Sequence, residues 1–196
     1  MRWIPLVPLL LVLGCPFGQT PEEPGSPVGT FVAQGVMVVQ SCGAAIPATD
    51  PLDLRFDLRS ESNGRAYFKE PGGLTFPGIE KKDGEYTFEV SQSWTVIEPD
   101  PQSGYSGCAV TQRDTSAFVV EIAEVQTDGD AGVDSEPAGA DAGVAPTAMT
   151  LSGSQITEIN PVAGSDCTPA VTEGGPFLSL PCRVEYVLTG TGLGPE

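Results

Sequence analysis

The chain has 196 residues, with 9 Lys+Arg against 26 Asp+Glu and no histidine, for a formal net charge of −17. Without histidine there is no Ser-His-Asp or Cys-His catalytic site and no His-ligated zinc. The charge argues against holding nucleic acid or an anionic membrane surface through basic residues. The length suits one domain, and Gly 24 with Pro 19 favours turns and strands over helices.

Met1 and Arg2 give a short positive start, and Trp3 to Leu13 is an apolar run. Its length matches a signal-peptide core and is too short to span a bilayer as a helix. The run ends Leu11-Val12-Leu13-Gly14-Cys15. This resembles the bacterial lipobox. The resemblance implies cleavage of residues 1–14 and acylation of Cys15, so that acyl chains replace a spanning helix at about 0.8 kcal/mol per buried methylene. Pro16 rather than Asp follows the Cys, which in that family points to the outer membrane of a bacterial cell envelope. Removing Cys15 leaves four cysteines, an even number that suits an oxidising compartment.

Residues 15–27 continue as a Pro/Gly-rich tether, semi-extended and without apolar periodicity. A second low-complexity stretch, 127–147, holds acids but no base or aromatic, and is expected to be disordered. Its Asp-Ala-Gly repetition resembles linkers of exported myxobacterial proteins. Residues 28–196 otherwise read as strands. Thr30 to Ser41 is apolar on both faces. Leu52 to Arg59 alternates apolar and charged residues, Asn63-Gly64 turns the chain, and Arg65 to Lys69 returns. After Pro71-Gly72-Gly73, Leu74 to Lys81 is a poorer strand, expected to bulge near Pro77-Gly78. Asp83-Gly84 is a second hairpin signal, and Glu85 to Ile97 alternates well. Cys108 to Val125, Ala148 to Asn160 and Cys182 to Thr191 complete eight strands, with no convincing helix.

The predicted fold is therefore all-β: an eight-stranded antiparallel up-and-down barrel, which hides its sheet edges by closure. A two-sheet β-sandwich of the same strands is the alternative. Strand count and order resemble the lipocalin-like small barrels, and Gly29-Thr30-Phe31 is similar to the Gly-x-Trp signature of lipocalins, with Phe for Trp. That resemblance implies a cavity for a small apolar ligand.

Alternation along the meander puts Cys42, Cys108, Cys167 and Cys182 at one end, here called upper, with the long loops 42–51, 98–107 and 161–181. The tether and both short hairpins fall at the lower end. Two pairings remain open: Cys42–Cys182 with Cys108–Cys167 across neighbouring strands, or Cys167–Cys182 with Cys42–Cys108. The second is preferred, because the Pro/Gly-rich final loop most needs a local constraint. No metal site is expected, since there is neither a Cys-x-x-Cys nor a histidine.

Parity places Phe88, Gln92 and Trp94 inside the barrel, and Gln112 and Asp114 on the Phe118 face. One reading is a ligand pocket floored by Phe88 and Trp94 and oriented by Gln92 and Gln112. The preferred one bulges the sixth strand, turning Gln112 and Asp114 outward and leaving Gln92 near the barrel mouth. Asp128, Asp130, Asp134 and Glu136 fail the EF-hand spacing, because position five is Gly132 and position six Val133. Glu70, Glu98, Asp100 and Asp114 have no spacing that pairs them for glycoside hydrolysis. Of Tyr67, Phe68, Trp94 and Tyr105, three lie in strands, which favours packing over sugar stacking. No catalytic residue, metal or cofactor is expected.

The expected function is a non-catalytic interaction or accessory module, lipid-anchored in the envelope and partnered by the membrane and an envelope protein. One alternative is a carrier of a small apolar ligand. Another is an inhibitor that inserts the loop Glu98 to Gly107 into an envelope hydrolase.

Overall fold

The computed structural model describes residues 23–82, 84–122, 147–172 and 174–195. In chain order the strands are β1 (Ser26–Gln40), β2 (Leu52–Ser60), β3 (Arg65–Lys69), β4 (Thr75–Lys82), β5 (Glu85–Ile97), β6 (Cys108–Ile122), β7 (Ala148–Pro161) and β8 (Cys182–Leu193). They pair antiparallel in that order, and β1 also pairs β8, closing an up-and-down barrel rather than a sandwich. The only helical pieces among the described residues are a 3-10 turn at Gly43–Ala45 and α1 (Thr168–Val171). The predicted signal peptide, Cys15, Asp83 of the second hairpin, residues 123–125 of the sixth strand and all but Thr147 of the acidic stretch lie outside the described residues.

Alternation in the sequence becomes alternation in burial. Along β2, Phe56 and Leu58 are buried while Asp53, Arg55 and Asp57 are exposed. Along β1, Phe31 and Ala33 point inward, whereas Val32, Val36 and Val38 lie on the outer face with Val187 of β8 beside Val36. The second apolar face read in this strand is therefore exposed.

The lower half of the barrel is filled by stacked rings. Phe56 lies 5.5 Å from Phe31, 4.4 Å from Phe68 and 5.4 Å from Phe118, measured between ring centroids. Phe88 closes the group at 5.7 Å from Phe68 and 5.6 Å from Phe118. Burying each ring contributes roughly 1.5–3 kcal/mol, and ring contacts add about 0.5–1.5 kcal/mol per pair. Neighbouring strands make room with glycine. A Cβ on Gly78 would sit 2.4 Å from the Phe88 ring, and one on Gly192 would sit 2.4 Å from Phe31. Gly78 is thus regularly paired, to Ala66 and Phe88, and the expected bulge near Pro77-Gly78 falls instead between Glu80 and Lys82.

All four described cysteines gather at the upper end. Their pairing is Cys42–Cys182 and Cys108–Cys167, with Cα–Cα distances of 4.9 and 4.6 Å. The preferred local pairing is wrong, because closure of β1 on β8 brings Cys42 beside Cys182 and leaves Cys167 beside β6. The sequence separations of 140 and 59 residues make each link worth roughly 4–5 kcal/mol on the loop-entropy model. The final loop takes its own constraint from packing: Ala170 and Phe177 are buried, and the Phe177 amide donates to the Ala170 carbonyl.

The tether also departs from expectation. Ser26 and Pro27 belong to β1. Arg59 donates to the carbonyls of Pro24 and Gly25, and the Glu23 carboxylate pairs with Lys69. Residues 23–25 are therefore held against the β2–β3 hairpin, from Ser60 at the lower rim to Lys69.

The Asn63-Gly64 turn forms as predicted, with Gly64 at φ 82° and the Asn63 side chain accepting from the Arg65 amide. Glu61 accepts from the Tyr67 hydroxyl at 2.7 Å and from the Asn63 amide at 2.8 Å. These bonds, the tyrosine's first, hold the Glu61 carboxyl below its ordinary 4.5. A carboxyl lowered on folding adds stability above its unfolded value and loses it as pH falls through the folded one. Glu61→Gln should therefore be less stable than wild type at pH 7. The gap should close as pH drops below about 4, in paired thermal melts across that range.

Candidate functional site

The barrel wall is uneven. β3 has 5 residues and β4 has 8, against 13 in β5 and 15 in β6. Pairing of β2 with β3 covers Asp57 to Ser60 and stops there. Pairing of β4 with β5 ends at Gly78–Phe88, next to Pro77, which has no N–H to donate. The turn after β3 sets the height of this hairpin: the Glu70 amide donates to the Leu74 carbonyl across Gly72 and Gly73, which take φ of 112° and 102°. Above it, residues 52–56 of β2 pair only with β1, and residues 89–97 of β5 pair only with β6, among the described residues.

The result is a lateral cleft of about 280 Å³. Its floor is apolar: Leu54 of β2, Phe68 of β3, Phe76 of β4, and Phe88 and Val90 of β5. Its far wall is polar: Gln92 of β5, Asp114 and Ser116 of β6, and Gln155 of β7, with Glu70 at the turn. Asp114 is held from both sides. Its Oδ1 accepts from the Thr157 hydroxyl at 2.5 Å, and its Oδ2 accepts from the Gln112 side-chain amide at 2.6 Å. No basic side chain lines the cleft.

The sequence-predicted residues divide. Phe88 and Gln92 line the cleft; Trp94 and Gln112 do not, although Gln112 fixes Asp114. The sixth strand is unbulged between Ala109 and Val119, so Gln112 and Asp114 keep the parity of buried Val110 and Phe118 and face inward. The outward placement is thereby corrected. Gln92 is exposed on the wall of the lateral cleft. Glu70 and Asp114, unpaired by any spacing in sequence, come to one cleft, while Glu98 and Asp100 sit in the loop after β5. Leu54, Phe76, Ser116 and Gln155 were missed. The signal that finds them is the short Arg65 to Lys69 strand between strands about twice its length.

The upper loops are braced. Asp100 and Tyr105 exchange backbone bonds at 2.9 and 3.0 Å, and Asp100 also accepts from Ser103 and the Gln102 amide, which lowers its carboxyl pKa. The Tyr105 hydroxyl donates to the Asp166 carbonyl at 2.7 Å, tying this loop to the one carrying Cys167. Burial pushes the Tyr105 hydroxyl up. At the opposite end an open apolar depression lies around Val28, Tyr86, Val120 and Met149, next to where residues 123–146 leave the described structure.

Fold and site define a class: a small closed β-barrel, filled by its own aromatic side chains, braced by two disulfides and indented by one mixed apolar and acidic cleft. No family model, curated protein or solved structure matches this chain, so the architecture stands without a family assignment.

Removing the hydroxyl that holds Asp114 tests how firmly the cleft wall is built. Thr157→Val should cost about 1–2 kcal/mol in urea denaturation, since a half-buried acceptor loses its donor. Ser152→Ala on the exposed face of the same strand should stay within about 0.5 kcal/mol of wild type.

Proposed function

We propose that this chain is a non-catalytic interaction module of a bacterial cell envelope, held at the outer membrane through an acylated Cys15. The observation that carries the module reading is the filled barrel. The rings of Phe31, Phe56 and Phe118 meet across the interior, and the cleft beside them, about 280 Å³, is only as large as the smallest ligand pockets, roughly 300 Å³. A rigid, disulfide-braced scaffold with stiff loops suits presentation to a protein partner. The two oxygens of Asp114 are both engaged by neighbouring donors, which suits a fixed recognition group rather than a proton-transfer group. The anchor rests on the sequence alone, on the apolar run ending Leu13-Gly14-Cys15.

A second reading keeps the carrier of a small ligand, as the lipocalin resemblance implies. The cleft with its aromatic floor supports it, as does the open apolar depression of about 560 Å³ at the opposite end.

Two measurements decide. In a bacterial host, wild type should fractionate with membranes and take up radiolabelled palmitate; Cys15→Ser should do neither. Membrane retention of that variant would remove the anchor from the proposal. The full chain should give a native mass spectrum, released from detergent, with no adduct beyond its own lipid. A non-covalent small molecule that leaves on denaturation would replace the module by the carrier.

A further inference from the structure

The cleft is bordered by two strand edges that have no partner among the described residues. On one side are residues 52–56 of β2, on the other residues 89–97 of β5. Backbone N–H and C=O groups along such an edge are a template for another strand. Natural edges are usually blunted by proline, lysine or inward-pointing charge. The β5 edge carries none of these: residues 89–97 read Glu-Val-Ser-Gln-Ser-Trp-Thr-Val-Ile, with Ser91, Gln92 and Ser93 exposed. Above the β3–β4 hairpin the wall between these edges lacks two of the barrel's eight strands.

The same place selects by charge. Glu70 and Asp114 face the cleft, no base lines it, and the chain carries −17 overall. The floor of Leu54, Phe68 and Val90 is apolar. A lysine or arginine lays an aliphatic stem along such a floor while its charged head reaches a carboxylate, and aromatic faces attract the same cation.

We propose that the cleft receives an extended segment of a partner protein, which adds as a strand to the β5 edge and sets a basic side chain against Asp114 and Glu70. This rests on the module reading and names the chemistry of its partner. A second copy of the chain is disfavoured as the occupant, because it would bring like charge to an acidic cleft.

The test uses the full chain in detergent micelles and two end-blocked seven-residue peptides, Val-Lys-Val-Lys-Val-Lys-Val and its glutamate counterpart. Amide hydrogen exchange is followed by mass spectrometry. With the lysine peptide in excess, exchange across 89–97 should slow at least tenfold, while the glutamate peptide leaves it unchanged. Asp114→Asn and the rim variant Glu70→Gln should each weaken lysine-peptide binding severalfold, and added salt should do the same. The proposal is overturned if the lysine peptide gives no slowing at millimolar concentration, or if both peptides slow exchange equally. Slow exchange of 89–97 in the free chain together with a dimeric mass would also overturn it, assigning the edge to a second copy. Failure here with an adduct-free native mass leaves the module reading standing; a small-molecule adduct removes that reading whatever the peptides do.

Discussion

Phe56 is the point on which the barrel turns. Its ring meets Phe31 of β1, Phe68 of β3 and Phe118 of β6, so it ties both neighbouring strands to the opposite wall. Closure of a sheet needs its inward faces to fill the interior without a void, because a gap forfeits contacts on every side. Three of the phenylalanines have a neighbouring strand that offers no Cβ at the paired position. Gly78 lies under Phe88 and Gly192 under Phe31, and a Cβ on Gly153 would approach Phe118 to 2.6 Å. Each glycine is the cross-strand partner of the ring it accommodates, Gly78 of Phe88, Gly153 of Phe118 and Gly192 of Phe31.

The cleft is a consequence of that filling. The rings occupy the lower and middle part, where all eight strands are present. Above, β3 and β4 have already turned, and the inward residues Leu54, Val90 and Trp94 are only half-buried. Where those two strands are missing the inner face of β6 and β7 becomes polar, and above that level it closes again on buried Val110 and Ile159 beside the disulfides. Asp114, Ser116 and Gln155 tolerate the interior because the missing wall lets water in and because Thr157 and Gln112 supply donors to the carboxylate. Polar residues at inward positions and a short hairpin opposite them thus express one fact.

Much of this was legible in the sequence. Period-two alternation gave the bounds of β3 and β5 directly, and meander topology put four cysteines at one end. What alternation does not carry is long-range partnership. Cys42 meets Cys182 only because the first and last strands close on each other, so a local argument from the final loop chose the wrong bridge. The same limit explains Gln112. A polar residue at an inward position looked like an error to be repaired by a bulge, because the sequence of one strand does not say that the opposite wall is missing. Pro77 looked like the seat of a bulge for a similar reason; it ends the pairing with β5, and the glycine beside it serves a ring on the neighbouring strand. The anchor at Cys15 and the acidic stretch remain readings of the sequence, since they lie outside the described residues.

The position of Glu23 connects the proposed anchor to the cleft. Its carboxylate pairs with Lys69, the residue before Glu70 at the cleft rim. That pairing, its hydrogen bond first and its charge second, lowers the Glu23 carboxyl pKa. Eight residue-to-residue steps lead from Cys15 to Glu23, a reach of at most roughly 29 Å when fully extended. β1 still begins at the lower rim, where Ser26 pairs with Ser60, but on the proposed anchorage Glu23 ties the incoming chain to the β3 side of the barrel, next to the cleft. The cleft is then held within a short distance of the bilayer, while the braced loops 98–107 and 162–181 stand at a separate end. An acidic cleft close to an anionic surface sits among the counter-cations that surface attracts. The basic segment inferred for the cleft would meet the same attraction. Anchor and cleft would then act together, the membrane concentrating the partner that the strand edge selects.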